Sequence, residues 1–360
     1  MEPTYQTPLS TQPLRQVDEI SILENTLASS LAPEELKRKA LDMLTRLKRM
    51  VDSGVYSAEY DRLAHYVSWI TSLPWGNYTE DKIDIVKAKA AMDQTHYGMS
   101  EPKERILEFL ATMKLRRENQ VEGSLRAPAL FLVGLVGTGK TTFAYTLADV
   151  LGRRFARIPF GGLGSARDLR GRSRLFPEAE PGYIIKALRD AGSMNPIILL
   201  DEIDRVSAEE RMDIMGVLVE LLDPTQNNRF LDQYLDFPVD LSQVFFIATA
   251  NNTPHVATAV LDRLELIPMP SYTDEEKIRI TQQFLLPKAL KNAGLFAEQL
   301  SIDPSIWPLV VRPLGYDAGI RSLERTMASV VRKVAKQIVE GSVQSVHLDQ
   351  TNYKQYMNSY

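Results

Sequence analysis

The chain has 360 residues, 44% hydrophobic and 24% charged, with a formal net charge of −4, the profile of a folded protein of two or three domains and not of a disordered or fibrous one. The slightly acidic balance leaves no overall electrostatic footprint for nucleic acid, and the absence of cysteine removes disulfides, thiolate metal sites and cysteine nucleophiles. The N-terminus is not basic, and no stretch approaches the ~18 uninterrupted apolar residues of a membrane span, so a cytoplasmic protein without membrane contact is expected.

Residues 1 to 16 carry Pro3, Pro8 and Pro13 among Thr, Gln and Ser and are expected to form an unpacked tail. Val17, Ile20, Leu23, Leu27 and Leu31 then recur at steps of three and four. After Pro33 the pattern returns with Leu36, Ala40, Leu44, Leu47 and Val51, so two amphipathic helices are predicted. Further helices are expected over Ala58 to Leu73 and Ile85 to Met92, ahead of a turn at His96, Tyr97 and Gly98. From Arg126 short apolar runs alternate with helical ones: Ala129 to Val133, Phe155 to Ile158, Ile197 to Leu200, Val244 to Thr249 and Leu264 to Ile267. Strands spaced by helices imply a parallel sheet flanked by helices, an α/β core. Past Pro270 only helical runs are expected, at Asp274 to Leu285, Pro287 to Asn292 and Gly319 to Glu340. The expected division is a tail and short helix over 1–33, a helical region over 34–92, a large α/β domain over 93–272 and a small helical domain over 273–360.

The run Gly134-Leu135-Val136-Gly137-Thr138-Gly139-Lys140-Thr141 fits the pattern G-x-x-x-x-G-K-[ST] and directly follows the first apolar run. Glycines let consecutive backbone N–H groups turn toward phosphate oxygens, Lys140 can reach the β and γ phosphates, and Thr141 offers a hydroxyl to Mg²⁺. A plain strand-to-helix turn is the alternative. Ile197 to Leu200 end in Asp201 and Glu202, where one carboxylate can hold Mg²⁺ and the next activate water; an acidic pair also suits a helix N-terminus. Asn251, at the end of the next strand, could orient that water or simply form a turn. Arg263 and Arg321 could neutralise charge on a transferring phosphoryl group, or be surface arginines paired with nearby acids.

These points stand in the order and spacing of the AAA+ ATPases, and the chain resembles more narrowly the ATPase module of Lon proteases. The resemblance runs from about Glu34 to the C-terminus. It is carried by His65 to Trp75 (HYVSWITSLPW), His96-Tyr97-Gly98-Met99, Lys103 to Leu110 (KERILEFL), Leu199 to Asp204 (LLDEID), Leu222-Asp223-Pro224, Ile247 to Asn251 (IATAN), Leu261-Asp262-Arg263, Tyr272 to Lys277 (YTDEEK) and Ala318 to Arg325 (AGIRSLER). The resemblance implies an AAA+ P-loop NTPase core, preceded by an all-α region and followed by a small all-α domain. It further implies ATP and Mg²⁺ as cofactors, with Gly134 to Thr141 and Thr142 cradling phosphate, Thr141 and Asp201 at the metal, and Lys140, Glu202, Asn251, Arg263 and Arg321 as catalytic groups. His96, Tyr97 and Gly98 would flank the adenine, although a plain turn between helices fits them nearly as well. Arg263 would act on a neighbouring subunit, so a homo-oligomer, a hexameric ring, is expected.

Members of this family thread unfolded polypeptide through the ring, and Phe176 falls on the aromatic position of the loop that grips it. Here Pro177 and Glu178 follow where an aliphatic residue and glycine are usual, and Arg211 to Ile214, at the second pore loop, lack the usual glycine and proline. Leu135-Val136 replace two prolines common in the phosphate loop. Neither the serine–lysine peptidase domain that follows the module in Lon proteases nor the recruitment domain that precedes it is expected within these residues, as in either an excised fragment or a standalone ATPase of Lon descent. The expected function is therefore ATP-driven unfolding or translocation without peptide cleavage, with a separate peptidase as a conceivable partner. An ATP-gated scaffold or regulator is the rival reading, and a nucleic-acid motor ranks last because the net charge is acidic.

Overall fold

The computed structural model describes residues 12–52, 59–119, 129–312 and 319–357. Helix α1 (Gln12–Ser29) begins inside the stretch expected to be tail, with Pro13 in its first turn, where the missing N–H has no helical partner to lose. It ends before Leu31, which is exposed, and Ala32 is buried in its place. Helix α2 (Glu34–Asp52) buries Leu36, Ala40, Leu44, Leu47 and Val51, the stripe that its periodicity predicts. Helix α3 (Glu59–Ser72) completes a bundle and reaches the rest of the protein through Tyr66, whose hydroxyl donates to the Leu235 carbonyl at 3.0 Å.

After Trp75 the chain runs as a strap along the α/β domain. Met194 N–H donates to the Asn77 carbonyl at 2.8 Å, and Asn195 exchanges two 2.8 Å bonds with the Thr79 backbone. The strap is pinned by Arg153, whose Nη2 meets Asp81 Oδ2 at 2.9 Å with both side chains almost wholly buried. Helices α4 (Ile85–Thr95) and α5 (Ser100–Glu118) follow. Next come β1 (Ala129–Val133), α6 (Lys140–Leu151), β2 (Phe155–Pro159), α7 (Ala166–Arg170), α8 (Tyr183–Ala191), β3 (Ile197–Asp201) and α9 (Arg211–Leu222). A short hairpin, β4 (Phe230–Asp232) and β5 (Phe237–Val239), leads to β6 (Phe245–Ala250), α10 (Thr258–Leu261) and β7 (Leu264–Pro268).

The five long strands form one parallel sheet in the order β2-β3-β6-β1-β7. Side chains alternate between its faces as strand geometry requires. Phe131, Ile198, Leu200, Phe246 and Ala248 join the core shared with α1–α3 and α7–α9, whereas Leu130, Leu132, Ile197, Leu199 and Ile247 join the core of α4, α5 and α6. Strands sealed on both faces need runs of apolar residues, which explains why the central strands β1, β3 and β6 read as such runs, whereas the edge strands β2 and β7 admit Arg157 and Glu265.

The C-terminal region is helical, as expected, with one addition. Helix α11 (Asp274–Ile280) passes through a π-helical segment (Thr281–Leu285) into α12 (Leu286–Ala293), followed by α13 (Trp307–Val311) and α14 (Arg321–Val339). Strands β8 (Leu300–Ile302) and β9 (Val346–Leu348) pair in parallel beside them, and α15 (Tyr353–Tyr356) closes the described chain. None of the described helices is long and apolar enough to cross a membrane.

Removing one partner from a buried ion pair strands the other charge, at a cost of about 3 kcal/mol. Asp81→Ala should therefore lower unfolding stability by about that amount in a urea titration, and a loss below about 0.5 kcal/mol would show that the strap is not held by this pair.

Candidate nucleotide site

Because every strand of the sheet is parallel, all the carboxyl ends lie along one edge, and β1 stands where the strand order reverses, between β6 and β7. Ligands of open α/β sheets bind at that point. The loop from Gly134 leaves β1 there and enters α6 at Lys140. Gly139 has φ +94°, and a Cβ on it would stand 2.9 Å from the His96 ring, so only glycine turns the chain here. The loop is wrapped around the Lys140 ammonium, which donates to the carbonyls of Gly134 at 2.6 Å and Leu135 at 3.0 Å and to Asn251 Oδ1 at 3.2 Å. Burial pulls the pKa of Lys140 down, opposed by the charges of Asp204, Glu202 and Asp201. Thr138 is buried with its hydroxyl on the Leu135 carbonyl, while Leu135 and Val136 are exposed.

A cleft of about 160 Å³ opens beside the loop, lined by Val136, Gly137, Gly139, Lys140, Thr141, Thr142, Asp201, Glu202, Asn251 and, from the C-terminal region, Ile320, Arg321 and Glu324. Segments from β1, β3, β6 and α14 are thus brought to one place. The acidic pair hangs on Thr249, whose hydroxyl donates to Asp201 Oδ1 at 2.6 Å and accepts from the Glu202 N–H at 2.8 Å. Glu202 has φ +58°, an uncommon conformation for a residue with a Cβ, and its carboxylate lies 3.4 Å from Arg205 Nε. Asp201 Oδ2 accepts from Arg157 Nε at 2.8 Å and meets Arg157 Nη2 at 2.6 Å.

The C-terminal region sits directly on the phosphate loop. Ile320 N–H donates to the Gly137 carbonyl at 3.3 Å, and a Cβ on Gly319 would stand 2.2 Å from the Val136 carbonyl oxygen, so this contact tolerates only glycine. That places Arg321, the first residue of α14, in the cleft. His96 lies behind the loop: Nε2 is 3.1 Å from the Gly139 carbonyl, which can only accept, so Nε2 carries the proton. Its ring stacks on Phe143 at 3.6 Å, and burial pushes its pKa down to about 4. Lys103 donates to the His96 carbonyl and to Asp93, each at 2.7 Å, and fixes the turn that carries Tyr97 and Gly98.

Two candidates stand apart. Arg263 directly precedes Leu264, which pairs with Ala129 at the start of β1, whereas the phosphate loop follows Val133 at its end. At the strand rise this separates Arg263 from the loop by roughly 15 Å. It is held there by Asp223, whose Oδ2 accepts from its Nη2 at 2.9 Å and its Nε at 3.2 Å. Hydrogen bonds from Thr225, then from Arg263, hold the Asp223 carboxyl down to about 2. Phe176 is exposed on the loop after α7, beside a cleft of about 540 Å³ shared with Met43, Leu47 and Met50 of α2. Arg211 to Ile214, expected as a second loop, form the first turn of α9, with Met212 exposed, since no glycine or proline interrupts the helix there.

Sequence reasoning passed over Arg157, and quoted Lys103, Asp223 and Asp204 without giving them roles. Asp204 is buried, and its Oδ2 accepts the backbone N–H groups of Asn251 at 3.0 Å and Asn252 at 3.3 Å, which sets the position of Asn251. Its place three residues after Asp201 was the available signal. For a divalent metal the cleft offers the Thr141 hydroxyl and the Asp201 carboxylate, hard oxygen donors of the type Mg²⁺ selects. Among the described residues no three His, Asp or Glu side chains gather to hold a metal alone, so phosphate oxygens would have to complete its shell.

Residues 130–269 match the model of the ATPase family associated with various cellular activities (AAA), and residues 291–346 match that of the Lon protease AAA+ ATPase lid domain. The chain is 41% identical over 325 residues to the Lon protease of Desulforamulus reducens, covering 90% of this chain and 39% of that protein. It is 44% identical over 322 residues to the Lon protease of Nitratidesulfovibrio vulgaris (89% and 38%) and 42% identical over 325 residues to that of Dictyoglomus thermophilum (90% and 40%). The chain therefore spans about two fifths of the length of these curated relatives.

His96→Phe keeps a ring against Phe143 but removes the donor to Gly139, and should weaken binding of a fluorescent ATP analogue about fivefold, the equivalent of one ordinary hydrogen bond. In the unaltered protein His96 should titrate near pH 4 by NMR. The unfolded chain takes up this proton from about pH 6.5, so the stability that His96 contributes is lost as the pH falls from about 6.5 toward 4. A midpoint above pH 6 would refute the buried neutral assignment.

Proposed function

We propose that this chain, which belongs to the Lon protease family by its AAA+ ATPase and lid regions, binds ATP with Mg²⁺ and hydrolyses it in a hexameric ring to unfold or translocate polypeptide. One observation carries the ring: the cleft gathers Lys140, Thr141, Asp201, Glu202, Asn251 and Arg321, while Arg263 is fixed at the opposite end of the strands. An arginine placed there is out of reach of its own cleft, so a part in hydrolysis needs another copy, and such head-to-tail contacts form a ring where the rotation closes.

In this reading Glu202 accepts the proton of the attacking water and Asn251, positioned by Asp204, orients it. Lys140 leaves the loop carbonyls for the β and γ phosphates, and Arg321 brings the lid to the nucleotide. Thr141 and Asp201 would hold the metal, which would supply positive charge to the phosphate oxygens. The neighbour's Arg263 supplies further positive charge to the same oxygens. Phe176 would grip the polypeptide through a large, sequence-tolerant apolar contact. Whole Lon proteases also carry the name of a cleaving activity; for this chain the proposal is the motor step alone.

Glu202→Gln should bind ATP normally and lose at least a hundredfold in hydrolysis, and Arg263→Ala should lose about a thousandfold. Mixing the two variants should restore part of the activity, because an Arg263→Ala subunit keeps Glu202 and borrows an arginine from its Glu202→Gln neighbour. No recovery on mixing would end the shared-site reading. Phe176→Ala should leave basal hydrolysis intact and abolish its stimulation by an unfolded protein; undiminished stimulation would remove Phe176 from the grip.

A further inference from the structure

Asp201 already has a cation. Its Oδ1 is taken by the Thr249 hydroxyl, and its Oδ2 faces two nitrogens of the Arg157 guanidinium, at 2.8 and 2.6 Å. Asp201 is almost fully buried and the Arg157 side chain is half exposed. Arg157 reaches this point from β2, the edge strand beside β3, two residues before the Pro159 that pairs with Asp201. A guanidinium meeting a carboxylate oxygen through two nitrogens is a strong, oriented contact. A divalent ion on the same oxygen would stand against a positive charge at contact distance.

We propose that Arg157 is the resident counter-ion of Asp201 and keeps free divalent metal out of the empty site, so that Mg²⁺ enters only together with nucleotide phosphates. This rests on the assignment of Asp201 to the metal given above and adds to it the order of loading. The chemistry of the cleft supports that order, since Thr141 and Asp201 give a metal only two protein ligands, to which nucleotide phosphates would add further oxygen donors, and Arg157, half in solvent, can swing away once a metal–phosphate complex offers more than it does. Arg157 thus positions the carboxylate and its charge and touches none of the reacting atoms.

The test is Mn²⁺ binding to the full nucleotide-free chain, followed by electron paramagnetic resonance, for the unaltered protein, Arg157→Gln, Asp201→Asn and the double variant. Arg157→Gln should bind Mn²⁺ about tenfold more tightly than the unaltered protein, the order of one charge-assisted contact removed, and Asp201→Asn in the same chain should erase the gain. Arg157→Lys, which keeps the charge without the two-nitrogen geometry, should gain less and serves as the comparison if the glutamine variant does not fold. Equal Mn²⁺ affinity with and without Arg157, while Asp201→Asn still weakens Mn²⁺ uptake in the presence of ADP, overturns the role of Arg157 and leaves the metal assignment standing. No effect of Asp201→Asn in the ADP arm overturns the metal assignment and the proposal with it.

Discussion

The functional cleft depends on one constraint: the five strands all run parallel, which brings their carboxyl ends to a single edge, and a parallel sheet must be covered on both faces. Two apolar cores sharing one sheet enforce this, with Phe131 and Leu200 facing one way and Leu132 and Leu199 the other. Along that edge the Thr249 hydroxyl fastens β6 to the end of β3, accepting from Glu202 and donating to Asp201 in the same few ångströms where Lys140 is folded against its own loop. A one-residue slip in either strand would turn the acidic pair toward the wrong face.

Around this edge the charges are paired before any ligand arrives. Asp201 faces Arg157, Glu202 faces Arg205, and Lys140 lies among loop carbonyls and Asn251. Such partners keep buried charges from standing alone. They also mean that nucleotide must replace interactions already made, which couples binding to rearrangement of the same side chains. The lid takes part because Gly319 and Ile320 touch the loop backbone itself, so a shift in Gly137 moves the start of α14 and Arg321.

Much of this was legible in the sequence. The central strands β1, β3 and β6 appear as apolar runs because both faces are buried, and α2 as a stripe because only one of its faces is. Helix α5 was not recognised as a helix: it buries Ile106, Leu107, Phe109, Leu110 and Met113 on a broad surface that gives no clean stripe. Strands β8 and β9 are three residues each and acquire strand character only from each other, across the whole of α13 and α14. Arg157 drew no notice in the sequence and Arg263 was singled out without its partner, because only folding brings up Asp201, 44 residues away, and Asp223, 40 residues away.

By itself the sequence determined the local chemistry of this protein: a glycine loop able to turn its N–H groups inward, an acidic pair after a buried strand, and a resemblance to the AAA+ module of Lon proteases that named the remaining positions. Those are properties of short windows, readable because spacing along the chain dictates which face or turn a residue occupies. Only the tertiary structure decided which groups share a cleft, which cation each carboxylate meets first, and that Arg263 lies at the far end of the strands from its own chain's phosphate loop. Partner choice is a matter of distance in space, and residues dozens apart in sequence meet only when the sheet and its two cores have closed.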